Sequence, residues 1–222
     1  MTKVLAYCAY LNRPGISVPS TGVNGAPLHQ ITHDQLGLLC SQVEWPFDYP
    51  ALQRNAVEFH RVVSHMFGQG AVVPFRLLSV FDNLQDLVAF LATHQASFVA
   101  DLERLQNLVQ MECVLYFAPR AGFKPSGKEY LQMKADLLQL AEDFVQNMSD
   151  ALQGISKEIR TRESKNGGRI FVLVERGNEK LFHSIIQELP LPERFARRLS
   201  GPWPAAEFLS DSVKMPQIAG QR

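Results

Sequence analysis

The order of elements in the second half of the chain constrains the fold more than any other feature. Beyond Met111 the sequence predicts a strand over 112–117, a helix, two β-rich runs, a short helix and a last extended segment. The β-rich runs are joined by Asn166-Gly167-Gly168, and Asn-Gly between such runs is the strongest short signal for a hairpin. This order predicts a ferredoxin-like domain, in which both helices pack on one face of an antiparallel sheet.

Capping residues and apolar side chains three or four positions apart predict the helices. Asp48 is expected to cap the first helix, and Asp82 is expected to cap a second that runs to Val109. Ser126 and Glu129 have the spacing of a capping box and are expected to open the third. The fourth helix is short, and its predicted inward-facing residues are Leu181, Ile185, Ile186 and Leu189.

The first half of the chain is also mixed α and β, and the pattern leaves its topology open. Strands are predicted over 3–10 and in two short pieces within 28–43, with a loop rich in Pro and Gly over 14–27. The apolar run 71–81 is predicted to be a buried strand that is broken by Pro74.

The length of 222 residues allows one large or two small domains. Because the second predicted helix runs almost directly into the next strand, the domain boundary is placed there, with no flexible linker. We therefore expect an α+β fold in two domains. They are a mixed α+β domain over 1–110 and a ferredoxin-like domain over 111–209, followed by a tail over 210–222.

The charge balance excludes strongly basic classes of protein. The chain has 22 Lys and Arg against 22 Asp and Glu, so its formal net charge is zero. A strongly basic nucleic-acid binder or a polybasic membrane protein would carry a net positive charge. No apolar stretch approaches the roughly 20 residues of a membrane helix. We expect a cytoplasmic protein with neither a nucleic-acid nor a membrane partner.

No motif in the sequence indicates catalysis, a cofactor or a metal. Cys8, Cys40 and Cys113 lie in apolar runs without CxxC spacing and are expected to be small buried side chains in a reducing compartment. His29 and His33 lie in a stretch that is predicted to be extended, where side chains four residues apart are about 13 Å from each other. The sequence thus predicts no enzyme, with no catalytic, cofactor-binding or metal-binding residues.

Two charged or polar residues of the first half call for an explanation. His60 borders the apolar stripe of the first helix and is predicted to be a partly buried structural histidine. Arg76 has apolar neighbours on both sides, and an unpaired buried Arg costs several kcal/mol. Arg76 should therefore point outward or meet a carboxylate or carbonyl oxygens.

The predicted hairpin is basic, which raises an alternative function. Its charged residues are Lys157, Arg160, Arg162, Lys165 and Arg169 against Glu158 and Glu163. A ferredoxin-like sheet that binds RNA stacks bases on two or three aromatic side chains, whereas this stretch has only Phe171. The simplest interpretation is a solvated, basic hairpin. A ferredoxin-like regulatory or RNA-binding module is kept as an alternative function of the protein.

Several segments, in order along the chain, resemble the gas vesicle protein L/F family. QRNAVEFHRVVSHMFGQGAVVPFRLLSVF is similar to its H-x-x-V-V and V-L-P-x-R-F-G-T-V-F elements, and SGKEYLQMKADLL resembles its G-x-x-Y-L-x-x-K element. GPWPAAEF resembles the terminal G-P-W-P-P-Y-x-F, which is the most specific of these matches. The chain departs from the family pattern where it has Leu77-Leu78-Ser79 and Ala205-Ala206.

The resemblance implies a set of motif residues with structural or interface roles. Carried over position by position, they are His60, Pro74, Arg76, Phe81, Tyr130, Lys134, Gly201, Pro202, Trp203, Pro204 and Phe208.

The resemblance also implies a function. Members of the family are non-enzymatic accessory proteins of gas vesicle formation with a two-domain α+β fold and no cofactor. They bind the small hydrophobic shell protein and other accessory proteins during assembly. We therefore expect a cytoplasmic, gas vesicle-associated protein, with its oligomeric state open.

The G-P-W-P segment suggests a physical role for Trp203. Pro202 and Pro204 fix φ and bias Gly201 and Trp203 toward extended conformations, so little entropy remains to be lost. One hypothesis is that Trp203 is a rigid plug that latches the C-terminal segment across the domain junction. The alternative is that Trp203 is an exposed interface anchor.

Overall fold

The computed structural model describes residues 1–117, 127–164 and 167–213. It is an α+β fold, as expected, and it contains two antiparallel sheets. The chain divides into two compact units, of which the first is Met1–Asn107 together with the segment that begins at Pro204, and the second is Leu108–Trp203.

The first unit contains a sheet with the strand order β2-β3-β1-β4, in which β5 also pairs with β1. Its strands are β1 (Thr2–Leu11), β2 (His29–His33), β3 (Leu36–Glu44), β4 (Val72–Pro74) and β5 (Val80–Phe81), and its helices are α1 (Tyr49–Phe67) and α2 (Leu84–Arg104). The strand β1 is central, and every residue from Val4 to Tyr10 is buried. Continuous burial explains why this stretch is uniformly apolar and does not alternate.

Both helices of the first unit pack on the core through aromatic rings. Tyr7 of β1 stacks on Phe59 of α1 with ring centroids 5.0 Å apart. Phe75, which follows β4, stacks on Phe98 of α2 at 6.1 Å. The helix α1 begins as predicted, because the Asp48 side chain accepts a hydrogen bond from the backbone N–H of Ala51 at 3.0 Å.

The helix α2 differs from the prediction at both ends. Its N-cap is Asn83 rather than Asp82, and the Asn83 side chain accepts a hydrogen bond from the backbone N–H of Asp86. The helix ends at Arg104, because Asn107 has a φ of 62° and leaves the helical region. The next strand starts at Leu108, four residues before the predicted start, so Val109 lies in that strand.

The second unit has the predicted order of elements. They are β6 (Leu108–Phe117), α3 (Gly127–Leu152), β7 (Ser156–Ser164), β8 (Gly167–Glu175), α4 (Glu179–Glu188) and β9 (Phe195–Trp203). The antiparallel sheet has the order β7-β8-β6-β9. The predicted capping residue Ser126 lies outside the described residues, as does the side chain of Glu129.

Two local predictions in the second unit are wrong. Gly167 and Gly168 do not form the hairpin turn, because both belong to β8 and pair with Ser164 and Glu163. The helix α4 buries Phe182 and Ile186, whereas Leu181, which was expected to point inward, is 46% exposed. Of the other residues predicted to face inward, Ile186 is buried and Ile185 and Leu189 are partly buried, so the prediction is wrong at Leu181 alone.

The two faces of the second sheet have different character. A Cβ at Gly168 would lie 3.0 Å from Cγ2 of Val145 on α3, so the face of β8 that carries Gly168 and Ile170 looks toward this helix. Arg169 and Phe171 alternate with these residues and lie on the opposite face. We call this opposite face, which also carries Glu112 on β6, the outer face.

The predicted domain limits differ from the compact units at the C-terminal end. Residues 204–209 are predicted to lie in the second domain and 210–222 to form a tail, whereas the described residues 204–213 belong to the first unit. The physical reason is burial, since Phe208, Leu209 and Val213 are at most 5% exposed.

Candidate functional site

The segment Gly201-Pro202-Trp203 closes β9, and its first position requires glycine. Gly201 has a φ of 119°, a conformation that residues with a Cβ rarely adopt. A Cβ here would lie 2.8 Å from the carbonyl oxygen of Gln110 and 2.9 Å from Sδ of Met111. The close approach of β6 and β9 therefore explains this glycine.

Trp203 is partly buried and partly exposed. It keeps 36% of its surface accessible, and its indole N–H donates a hydrogen bond to Oγ of Ser200 at 3.3 Å. A partly exposed indole whose N–H is hydrogen-bonded within the protein is compatible with both a structural anchor and an interface residue. Trp203 thus has features of both predicted roles, and the latch stays a prediction.

Ser200 connects Trp203 to a buried carboxylate on the outer face. The Ser200 hydroxyl donates to Oε2 of Glu112 at 3.1 Å, and Nε of Arg169 donates to Oε1 of the same carboxylate. Glu112 is only 7% exposed, and a buried carboxylate is stable only when it is paired and hydrogen-bonded. These contacts order Trp203, Ser200, Glu112 and Arg169 as one polar network.

The network continues to an aromatic ring that is covered by cations. The guanidinium groups of Arg169 and Arg162 lie 5.0 Å and 5.8 Å from the ring centroid of Phe171, within the range of a cation–π interaction. Phe171 is 2% exposed, so its ring is not available for stacking on a nucleic-acid base. The outer face therefore presents cations above a covered ring, an arrangement that suits contact with anionic groups.

The rest of the G-P-W-P motif lies in the first unit. Phe208 is fully buried, and Nη2 of Arg104 donates to its carbonyl oxygen at 2.6 Å. Oδ2 of Asp101 accepts hydrogen bonds from the backbone N–H and the hydroxyl of Ser210 at 2.7 Å and 2.9 Å. Oδ1 of Asp101 accepts from Arg104 at 2.8 Å, so this carboxylate on α2 holds the chain that follows Pro204.

Sequence reasoning missed Asp101, although a signal was present. Asp101 falls between Phe98 and Leu102 on the buried stripe of α2 and is itself 3% exposed. A carboxylate at an inward position of a helix requires partners. The pattern could therefore have indicated that another segment binds there, without saying which one.

Three motif residues of the first unit occupy the short strands β4 and β5 and the turn between them. Pro74 ends β4, which lies at an edge of the sheet, where the missing N–H is tolerated. Arg76 is exposed, in agreement with one of its two predicted settings, and its backbone N–H donates to Oγ of Ser79 at 3.2 Å. Phe81 pairs with Val4 in the sheet. These residues shape the edge of the sheet.

His60 is exposed on α1, so the prediction of a partly buried histidine is wrong. The helix buries Phe59, Val62 and Val63, and His60 points away from them. Its Nε2 lies 3.1 Å from Oγ of Ser64, one turn further along the helix.

The motif residues Tyr130 and Lys134 lie on α3, and their side chains are outside the described part of the structure. The predicted motif residues are therefore distributed over both units. Gly201 to Trp203 belong to the second unit, whereas Pro204 and Phe208 belong to the first.

The thiols are poorly suited to nucleophilic chemistry. All three cysteines are buried, as predicted, and burial raises the pKa of Cys8 to about 12 and those of Cys40 and Cys113 to about 11. Each thiol is thus protonated at neutral pH, and the thiolate is the reactive form. Among the described residues, no three His, Cys, Asp or Glu side chains are grouped so that they could hold a metal ion.

Within the described ranges, no helix has both the length and the apolar character that crossing a membrane requires.

Comparison with known proteins identifies the family. The family model described as gas vesicle synthesis protein GvpL/GvpF matches residues 3–210. No curated protein matches the chain significantly.

Two solved structures are similar in fold. The gas vesicle protein GvpF from Anabaena sp. PCC7120 is 16% identical with a TM-score of 0.77, and the match covers 95% of this chain and 97% of that one. GvpF from Microcystis aeruginosa is 14% identical with a TM-score of 0.73, over 94% and 99% of the two chains. The match of the family model over nearly the whole chain shows that this protein belongs to the gas vesicle GvpL/GvpF family.

Proposed function

We propose that this chain is a cytoplasmic, non-enzymatic accessory protein of gas vesicle formation that binds the small hydrophobic shell protein and other accessory proteins during assembly. The observation that carries the proposal is the family match over residues 3–210. The resemblance of the fold to two GvpF structures supports it.

The chemistry of the described residues supports a non-enzymatic role. The cysteine thiols are buried, with a raised pKa. The buried carboxylate of Glu112 is engaged by Arg169 and Ser200, so it is placed to hold structure rather than to exchange protons with a substrate.

We also propose that the second half of the chain is a ferredoxin-like domain. The order β-α-β-β-α-β together with the strand order β7-β8-β6-β9 supports a ferredoxin-like arrangement of the second half. The first half is then a separate α+β domain completed by the chain that follows Pro204.

An exposed apolar surface on α3 supports contact with a hydrophobic partner. Leu131 is 67% exposed and Leu138 is 39% exposed. They are seven residues apart, so they lie on nearly the same side of the helix. We call them the α3 leucine pair. Burying apolar surface on association contributes about 25 cal/mol per Å².

Co-purification from cells that express the shell protein tests this proposal. We expect the wild-type chain to retain the shell protein and the double variant L131E/L138E to lose most of it, since charged groups resist desolvation in a contact. The matched control is Val57→Glu, because Val57 is a 71% exposed apolar residue on α1. Absence of the shell protein from the wild-type sample would count against the proposed partner, and equal losses for the two variants would count against this surface.

The alternative is a regulatory or RNA-binding module. The basic outer face favours it, whereas the cover over Phe171 removes the one aromatic ring that the sequence offered for stacking. Salt-dependent retention of the purified chain on immobilised RNA would favour this alternative.

A further inference from the structure

The outer face of the second sheet carries a row of arginines that runs across the strands. Arg162 on β7 pairs with Arg169 on the neighbouring strand β8. On the next strand, β6, Val114 pairs with Arg169 on one side and with Arg198 of β9 on the other. Neighbouring strands are about 4.8 Å apart, so the backbones at Arg169 and Arg198 are separated by about 10 Å. We call Arg162, Arg169 and Arg198 the arginine row.

The arginine row is exposed and lies on a face with net positive charge. All three side chains are exposed. The ionised residues that share this face are Lys157, Arg160, Arg162, Arg169 and Arg198 against Glu112, Glu158 and Glu175, so the balance is 5 − 3 = +2. Arg169, Arg160 and Lys157 form ion pairs with Glu112, Glu158 and Glu175, and the net positive charge that remains on this face favours an anionic neighbour.

The helix α3 of the same unit carries a row of carboxylates at regular intervals. Asp136, Asp143 and Asp150 recur every seven residues and are all exposed. Each accepts a hydrogen bond from the glutamine four residues before it, at 2.9 Å, 3.0 Å and 3.0 Å, which orients the carboxylates along the helix. We call these three residues the aspartate row.

The aspartate row points away from the second sheet. The helix buries Ala141, Phe144 and Met148. At 100° per residue, Asp143 lies about 160° from Ala141 and about 140° from Met148 around the helix axis. Residues seven apart on a helix are separated by about 10.5 Å, close to the spacing between Arg169 and Arg198.

We propose that the arginine row of one copy of this chain binds the aspartate row of a second copy. The two rows lie on opposite faces of the second sheet and its helix layer, so the contact joins two different surfaces. Such a heterologous contact produces rings or open chains of copies rather than a closed twofold dimer.

The charge distribution favours a second copy over a nucleic acid. The whole chain has zero net charge, and Phe171 is covered by Arg162 and Arg169. A second copy supplies carboxylates about 10.5 Å apart, close to the distance between Arg169 and Arg198, whereas a polyanion would call for a larger excess of positive charge.

Sedimentation velocity of the full chain tests the proposal at about 20 mM and about 500 mM salt, since screening weakens contacts between exposed charges. We expect the weight-average sedimentation coefficient to rise with protein concentration at low salt and to stay constant at high salt. Arg198→Glu and Asp143→Lys should each weaken self-association by about tenfold or more. The double variant R198E/D143K should recover most of it, because the reversed charges again meet opposite charges.

Lys180→Glu is the matched control, because Lys180 is exposed on α4 outside both rows. Its self-association should equal that of the wild type, and unchanged melting temperatures should show that the variants are folded. A monomer at every concentration and salt would overturn the proposal. So would a double variant that recovers nothing, or retention on RNA that is lost in Arg198→Glu while self-association is unchanged.

Discussion

Trp203 and Phe208 belong to one motif and are five residues apart in the chain, yet they have different settings. Phe208 is fully buried in the first unit. Trp203 ends β9 in the second unit and keeps 36% of its surface exposed. The chain passes from one unit to the other directly after Trp203.

The polar contacts around Phe208 and Trp203 also differ between a buried and an exposed setting. Near Phe208, the carboxylate of Asp101 and the guanidinium of Arg104 bind backbone atoms of the chain that follows Pro204. Near Trp203, the indole and Ser200 lead to Glu112 and the arginines of the outer face. A motif shared with a family can thus contain a core residue close to one that borders an exposed, charged face of a sheet.

Phe208→Ala should produce the largest loss of stability. Removing a fully buried aromatic side chain typically costs about 3–5 kcal/mol, because apolar contacts are lost and a cavity is left. Urea unfolding followed by circular dichroism measures the change, with Phe208→Leu as the control that keeps most of the volume. A loss below about 1 kcal/mol would contradict the assignment of Phe208 to the core.

Gly201→Ala should have a smaller effect of about 2 kcal/mol, since a non-glycine residue held at a strained φ costs about 1–3 kcal/mol. The added methyl group would also approach the carbonyl oxygen of Gln110 at 2.8 Å. Gly154→Ala is the matched control, because a Cβ at Gly154 meets nothing within 4 Å. If the two variants unfold at the same urea concentration, the close approach of β6 and β9 does not require glycine.

Features with a local cause were predictable from the sequence. The cap of α1 at Asp48 depends on neighbouring residues alone, and so do the β-rich runs that form β7 and β8. The order of elements in the second half follows from such local signals. The start of β6 was missed because it depends on the positive φ of Asn107, and no residue pattern within α2 announced it.

Features that depend on distant parts of the chain were not predictable. Which side of α4 is buried depends on the elements that the helix packs against, and in the fold Phe182 is buried while Leu181 is exposed. The return of the chain after Pro204 to Asp101 joins residues 109 positions apart. Of the candidate site, the sequence indicated Trp203 through the family motif. It did not indicate the network to Glu112, because that network requires the register of β6 against β9.

Trp203→Ala should have the smallest effect of the three substitutions on stability, about 1 kcal/mol, because a residue that is partly exposed loses less on truncation than a buried one. Differential scanning calorimetry measures the change, and co-purification with the shell protein is measured on the same samples. Trp203→Phe is the control that keeps an aromatic ring and removes the hydrogen bond to Ser200. A loss of stability as large as that of Phe208→Ala, with co-purification intact, would make Trp203 a structural latch. Near-normal stability with lost co-purification, partly restored in Trp203→Phe, would make it an interface anchor and would separate its role from that of Phe208.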